Sequence, residues 1–519
     1  MKTARNHDRI KVAISACGKI CVSYYPWVFY PSMLLLIMVI YRDFGVGWDE
    51  QFQATYGMLN LDYILYGDQS YIQYMNLRYY GPLFDVISAV LLFPLWSTDL
   101  KRFYLFKHLL TAFCGLLSAI GVHQAAKLLL NRLASWVPAI AGTTVLLMPR
   151  FFGDMFHNPK DIPFACAFIW AIVFCLKCLR SRSKNSFLIA GFFVGICISV
   201  RIAGILLLPA FLAPVSWELL RARLAERHDE LKKTAAHLKG FIAVCLLTVY
   251  AFWPYLWRSP FDRFYKAFRA MSKFDWRSIV LFEGQRIISQ DLPWYYLGKW
   301  LFLSLPEWIL VCSLLGLGAC FLRFNAVNGS SFAFVALAFA IPFVLLSLPG
   351  RTIYDGVRQF LFGHALIALL AATGLEMALT TWRRVAPAVA LTVAILVCVN
   401  IYDLVVYHPY QSIYFNRISG GIQAANGRYE TDYWALSYRQ AIEWMNANLS
   451  GPASLGIWGP TLAGELLLDR SRFTLTDISK HPDYFLSVTR WDKHLSVPGS
   501  PIYVVELQGA PLCLLFKTQ

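Results

Sequence analysis

The run Pro82-Leu83-Phe84-Asp85-Val86-Ile87-Ser88-Ala89-Val90-Leu91-Leu92-Phe93-Pro94-Leu95-Trp96 decides how the whole chain is threaded. It is apolar enough to suggest a membrane span, yet it is about 15 residues long where a helical span needs about 20. Asp85 interrupts it, and a carboxylate is expelled from hydrocarbon. Whether this run crosses a bilayer sets the sidedness of everything that follows it.

A bilayer is the solvent that the composition calls for. The chain has 519 residues, 57% of them hydrophobic and 15% charged, with a mean hydropathy of +0.50. A soluble protein of this length needs far more polar surface, so the pattern is that of an α-helical polytopic membrane protein. The formal charge of +16 and the pI near 9.3 sit in clusters beside apolar runs. Such clusters face anionic lipid headgroups and fix orientation, so the basic excess points to membrane lipids and not to nucleic acid. The twelve cysteines lie mostly in or at the ends of apolar runs, where they act as small packing residues. Cys175 and Cys178 form a CxxC with no second pair or nearby histidine, so no metal site follows from them. Only Cys513 falls in the C-terminal polar region, and no disulfide framework is expected there.

Orientation follows from lysine and arginine. Lys2, Arg5, Arg9 and Lys11 precede the first apolar run, Tyr24 to Tyr41, which reads as a retained first span leaving the cytoplasm. The next apolar runs are 82–96, 103–126, 134–149 and 160–177. If each crossed, Lys177, Arg180, Arg182 and Lys184 would lie outside, against the positive-inside bias. With 82–96 flat at the outer interface, as an amphipathic or re-entrant helix, that basic run falls inside. So do Lys127 with Arg132, the loop of Arg221, Arg223, Arg227, Lys232 and Lys233, and the pair Arg383 and Arg384. The remaining runs 186–200, 202–217, 238–257, 305–322, 331–348, 358–380 and 386–406 then bring the total to about eleven spans of bilayer length.

This threading predicts a membrane module over 1–406, with external loops at 42–102, 150–160 and 258–296. The tail 407–519 reads as a small α/β domain outside the membrane. It has a helical signal from Tyr438 to Asn448 and short β-like runs at Ala453–Trp458, Arg472–Asp477 and Ile502–Leu507. No low-complexity linker separates it from the last span, so it is expected to pack on the external loops.

The same threading gathers polar groups on the outer side. Asp49 and Glu50 stand in Val46-Gly47-Trp48-Asp49-Glu50-Gln51-Phe52, just past the first span; a solvated helix start is the plain alternative. Asp161 heads a span after Pro159, where a helix dipole alone would favour it. Arg201 sits at an outer turn between two spans with no acidic neighbour in sequence, either snorkelling or binding an anion. Arg351-Thr352-Ile353-Tyr354-Asp355-Gly356-Val357-Arg358 places two more arginines outside. Arg201, Arg351 and Arg358 together would suit a phosphate group; pairing with Asp355 is the competing account for Arg351 and Arg358. The long loop adds Trp294 and Tyr295, which a membrane-interface belt would also explain.

The order of these segments resembles the GT-C superfamily of membrane glycosyltransferases, and within it bacterial relatives of the protein O-mannosyltransferase and aminoarabinose transferase families. Trp48-Asp49-Glu50 is similar to the first-loop acidic motif. Pro149-Arg150-Phe151-Phe152 and Asn158-Pro159-Lys160-Asp161-Ile162-Pro163 are similar to the second-loop aspartate segment. Tyr354-Asp355-Gly356-Val357-Arg358, His408-Pro409-Tyr410-Gln411, Tyr414-Phe415-Asn416-Arg417 and Asp432-Tyr433-Trp434 resemble a bacterial branch, so the likeness runs over nearly the whole chain. The resemblance implies a GT-C-like fold in the bacterial inner membrane. It also implies a polyprenyl-phosphate sugar donor and transfer to an acceptor hydroxyl on the periplasmic side. In that reading Asp49 is the general base and Asp161 orients it or the acceptor, or binds a metal if one is used. Arg201 and Arg358 meet the leaving phosphate. Glu50, Arg351, Tyr354, Asp355, Trp294 and Tyr295 are substrate-side candidates, Glu50 being equally able to shape only the turn. The fuller pattern of the protein mannosyltransferases after the acidic pair is absent, so glycan, lipid and protein all stay open as acceptors. Two separated aspartates do not define a divalent metal site, and the cofactor stays open. A transporter or flippase of lipid-linked glycans is the alternative function. It would place charged or broken helices at the bilayer midplane and show an internal repeat, whereas here the polar residues gather on one face.

Overall fold

Apolar segments in a bilayer must satisfy their own backbone, and they do so as helices. The computed structural model describes residues 23–130, 134–322 and 329–518. The basic N-terminal segment and Arg132, both used above for orientation, lie outside the described residues. The first elements are α1 (Ser23–Ile40), α2 (Glu50–Tyr66), α3 (Leu83–Thr98), α4 (Leu100–Leu129), α5 (Val137–Leu146), α6 (Pro149–His157), α7 (Asp161–Ser181) and α8 (Lys184–Val200). There follow α9 (Leu207–Leu224), α10 (His228–Phe252), α11 (Pro260–Ser272), the hairpin β1 (Ile279–Phe282) and β2 (Gln285–Ile288), and α12 (Tyr296–Ser304). Four more helices, α13 (Glu307–Leu322), α14 (Gly329–Ser347), α15 (His364–Thr381) and α16 (Ala386–Val406), complete the membrane module.

Among the described residues, eight helical segments are long and apolar enough to cross a membrane; α5, α8, α13 and α3 are shorter apolar helices. α7 and α15 are buried at the centre, while α1 and α16 expose most of their apolar surface at the rim, as lipid-facing helices do. α3 behaves differently from a span. Its start follows Gly81, which lies so close to the Ser199 carbonyl at the end of α8 that a Cβ would collide. Farther along, Ala89 and Leu92 share an apolar cluster with Phe103 and Tyr104 of α4 and Leu462 of the C-terminal domain. Both ends of α3 thus stay on the face that carries that domain, and Val90, Leu91 and Phe93 are left exposed. Asp99 alone joins it to α4, capping that helix by accepting from the Arg102 N–H at 3.0 Å. The segment 42–102 thus carries α2 and α3, neither of them among the eight helices long and apolar enough to cross a membrane. The long loop 258–296 is more ordered than its sequence suggested, containing α11 and the hairpin.

Beyond α17 (Gly421–Ala425) and α18 (Tyr438–Asn448) lies a five-stranded sheet. Its strands are β3 (Ala453–Ile457), β4 (Phe473–Leu475), β5 (Tyr484–Val488), β6 (Tyr503–Leu507) and β7 (Ala510–Lys517), with α19 (Leu462–Leu467) between the first two. The order is β4-β3-β5-β7-β6, parallel across β4, β3 and β5 and antiparallel from β5 onward. α18, β3, β4 and β6 fall where the sequence placed them; β5 and β7 were not foreseen. The stretch 407–437 does not join the sheet. It packs against the helical module, where the Tyr414 carbonyl accepts from the buried Arg150 Nε at 2.9 Å.

Candidate active site

Asp49 stands at the N-cap of α2, yet its side chain makes no capping bond. Glu50 takes over the local work: buried, it accepts from the Gly47 N–H at 2.7 Å and lies 3.0 Å from His108 Nε2. The Asp49 carboxylate is thereby free to face Arg358, whose Nη2 donates to it at 2.5 Å. Arg358 reaches two more carboxylates, donating through Nε to Asp161 at 3.3 Å and through Nη1 to Asp355 at 3.2 Å. The other Asp161 oxygen takes a short bond from Arg201, and the other Asp355 oxygen accepts from Arg490 at 2.7 Å. Arg201, Asp161, Arg358, Asp355 and Arg490 form one ion-pair chain, with Asp49 branching from its middle. Its charges balance group for group, as burial requires.

Local sequence sets each position. Asn158 precedes α7 and locks Asp161, donating to its carboxylate at 3.1 Å and accepting from its backbone N–H at 3.0 Å. Asp355 and Gly356 both take left-handed backbone, φ +55° and +70°. Glycine adopts it freely and aspartate tolerates it better than most side chains. Trp434 lies 4.3 Å beneath the Arg358 guanidinium, donates its indole N–H to Asp154 at 3.2 Å and accepts the Trp48 N–H at 3.1 Å. Asp49 is the open member: its side chain is 26% exposed against 8% for Arg358 and 2% for Asp161. Burial works against its charge, but Arg358, helped by Lys160 and Arg490, holds its carboxyl below the usual range. Asp154 goes the other way. Burial and the nearby Asp161 charge push it up to about 7.

Beside this chain a cleft of about 320 Å³ runs between Ile202 and Leu206, Phe268 and Met271 of α11, and Leu345 of α14. Its polar residues include Arg201, Arg351, Thr352 and Tyr354. Apolar walls with a few convergent polar groups are what a ligand with a hydrocarbon part needs.

Of the residues singled out from sequence, Asp49, Asp161, Arg201, Asp355 and Arg358 come together. Arg351 does not join the ion pairs; it donates to the Ser272 carbonyl at 2.6 Å and lines the cleft. Tyr354 also lines the cleft, its ring stacked 4.0 Å from Trp276. Glu50 is buried against the protein, its partners being the Gly47 N–H and His108, which is what a turn-shaping residue does. Trp294 is exposed and Tyr295 donates to Glu283 at 3.2 Å, beside the hairpin; the structure does not bring either to Asp49. Sequence reasoning missed Arg490, and it quoted Trp434 and Asn158 within motif segments without giving either a role. It also gave no part to Lys160, whose ammonium sits 3.7 Å above the Tyr80 ring. Asn158, three residues before Asp161, carried the spacing of a helix cap; nothing in sequence linked Arg490 to this loop. Among the described residues no three acidic, histidine or cysteine side chains are grouped as metal ligands; the aspartates here are neutralised by guanidinium groups.

Residues 106–254 match the family described as dolichyl-phosphate-mannose-protein mannosyltransferase. No curated protein sequence matches the chain. Among solved structures, ArnT from Cupriavidus metallidurans bound to undecaprenyl phosphate is similar with a TM-score of 0.53 and 13% identity, over 95% of this chain and 98% of that one. Its apo state gives 0.50 and 14% over 96% and 98%. The oligosaccharyltransferase of Archaeoglobus fulgidus, at 0.48 and 14% over 87% and 65%, is too distant to weigh. At these identities the likeness speaks for a shared fold.

Proposed function

For this membrane protein of the GT-C glycosyltransferase fold, we propose an inverting transfer of a sugar from a polyprenyl-phosphate donor to an acceptor hydroxyl at the outer face of the bacterial cytoplasmic membrane. The observation that carries the reading is the junction of two features. A partly open aspartate lies on a guanidinium-rich ion-pair chain, and that chain runs through Arg201 into an apolar cleft. The cleft suits the lipid tail, and Arg201, Arg351 and Arg358 suit the phosphate beside it. Lys160, outside the ion-pair chain, adds a cation near Asp49 that suits the single negative charge of a phosphodiester.

Asp49 takes the acceptor proton while the acceptor oxygen attacks the anomeric carbon from the side opposite the phosphate. The bond from that carbon to the phosphate oxygen breaks, and its electron pair leaves with the polyprenyl phosphate, whose growing charge Arg358 and Arg201 meet. A donor phosphate competes with Asp49 for the Arg358 N–H groups. Its arrival therefore loosens the pair that depresses the Asp49 carboxyl and makes that group a better base. Asp161, clamped by Asn158, holds Arg358 and Arg201 in register.

Purified protein assayed against a panel of polyprenyl-phosphate sugars, with a cell-envelope extract as acceptor source, tests the reading. Transfer of at least one sugar with inverted anomeric configuration is expected. No transfer across the panel, or retained configuration, contradicts it.

A further inference from the structure

A second cavity, of about 230 Å³, opens between the β1–β2 hairpin and the C-terminal domain. Its lining differs in kind from the lipid cleft: Tyr429 and Trp491 supply rings, and Asn426, Glu430, Thr431 and His494 supply polar groups. Trp491 and Asp492 both take left-handed backbone, φ +58° and +52°. Consecutive bulky residues hold that conformation only where the surroundings enforce it, and such sites cluster where ligands bind. The ring of Trp491 is fixed by its indole N–H, which donates to the Ile279 carbonyl of β1 at 2.9 Å. Arg490 lies 4.5 Å from the same ring. His494 Nδ1 is buried without a hydrogen-bond partner, and Glu430 engages one oxygen with the Leu281 N–H at 3.2 Å.

We propose that this cavity seats a saccharide unit of the acceptor, and that the acceptor is therefore a glycan. The inference rests on the glycosyltransferase reading and specifies its second substrate. A pyranose has an apolar C–H face and a rim of hydroxyls. A fixed indole meets the first, while amide, hydroxyl, carboxylate and imidazole groups meet the second by accepting and donating at once. A lipid tail would find too few apolar walls here. An extended peptide would need an open sheet edge or a hydrophobic groove; the β1 edge on this cavity is already engaged, the Leu281 N–H by Glu430 and the Ile279 carbonyl by Trp491. Position agrees with the role. Thr489 and Trp491, both on the cavity wall, flank Arg490. Arg490 pairs with Asp355, and the Trp48 ring next to Asp49 lies 6.0 Å from the Trp491 ring. A bound saccharide is thus one layer of side chains from Asp49.

The test uses the full-length protein in lipid nanodiscs on an array printed with oligosaccharides of two to six hexose, hexosamine and pentose units, with peptides printed alongside. Saccharide spots are expected to bind wild type. Trp491→Ala should lower that signal at least tenfold, while Trp491→Phe, which keeps a ring, retains most of it. Asn426→Ala, at an exposed position, should lower it several-fold without a folding cost. Slow hydrolysis of the donor by wild type in the absence of acceptor reads the donor side alone. If wild type hydrolyses donor but binds peptides and no saccharide, the glycan inference falls and the glycosyltransferase reading stands. The same holds if Trp491→Ala and Asn426→Ala both bind saccharides as wild type does. If wild type neither hydrolyses nor transfers donor, the broader reading falls and takes the inference with it.

Discussion

Asp49 is held by Arg358, a partner that the proposed reaction requires it to lose. Arg358 donates to it at 2.5 Å while also serving Asp161 and Asp355, a division that needs three separately directed N–H groups. Lysine offers a point charge on a flexible stem and cannot hold three carboxylates in fixed directions. Arg358→Lys is therefore expected to lower kcat by about 10²-fold or more, and circular dichroism should show the fold retained; kcat near wild type would remove Arg358 from the reaction. The same part of the molecule also buries carboxyls that are not paired this way. Burial pushes Asp85, Asp154 and Glu430 each up to about 7. The unfolded chain releases those protons near pH 4, so between about pH 4 and 7 the folded state binds more protons than the unfolded one, and stability falls as pH rises. Thermal unfolding in detergent should show a lower Tm at pH 8 than at pH 5. In Asp154→Asn part of that difference should vanish; an unchanged pH slope would refute the shifted Asp154.

α3 carries the topology at the scale of elements. Both its ends pack on the side of the C-terminal domain, through Gly81 against Ser199 and through Leu92 near Leu462. A cysteine at position 90 in an otherwise cysteine-free chain is expected to stay unlabelled by an impermeant thiol reagent offered from the cytoplasmic side. Cysteines at 68 and 99 should label from outside. Cytoplasmic labelling at 90 would overturn the threading. This element was legible because charge and length are one-dimensional properties: Asp85 and a short run are visible without any contact map. Sidedness then placed Asp49, Asp161, Arg201 and Arg358 on one face, and the structure joins them. What was not legible depends on contacts between distant segments. β7 is a nearly continuous apolar run, which periodicity alone does not separate from a buried helix, and its pairing with β5 comes only from the fold. Arg490 reaches Asp355 from the other domain, and Glu50 turns inward because His108, on α4, waits for it. Trp294 and Tyr295 looked like site aromatics because outer-face aromatics are common whatever their job.

The whole molecule brings three surfaces to one point. The helical module contributes Asp49, Asp161 and the apolar cleft; the 351–358 loop contributes Arg358; and the C-terminal domain ends the ion-pair chain with Arg490. The helical module and the C-terminal domain meet at this ion-pair chain, with the stretch 407–437 packed there and Trp434 beneath the central guanidinium. The central claim is that this assembly transfers sugar with Asp49 as base. It is tested most directly by comparing wild type with Asp49→Asn for transfer from the polyprenyl-phosphate sugar that wild type uses, with donor binding measured in parallel. Loss of transfer by about 10²- to 10⁴-fold, with donor binding kept within a few-fold, is the predicted result; transfer at the wild-type rate in Asp49→Asn would contradict the account.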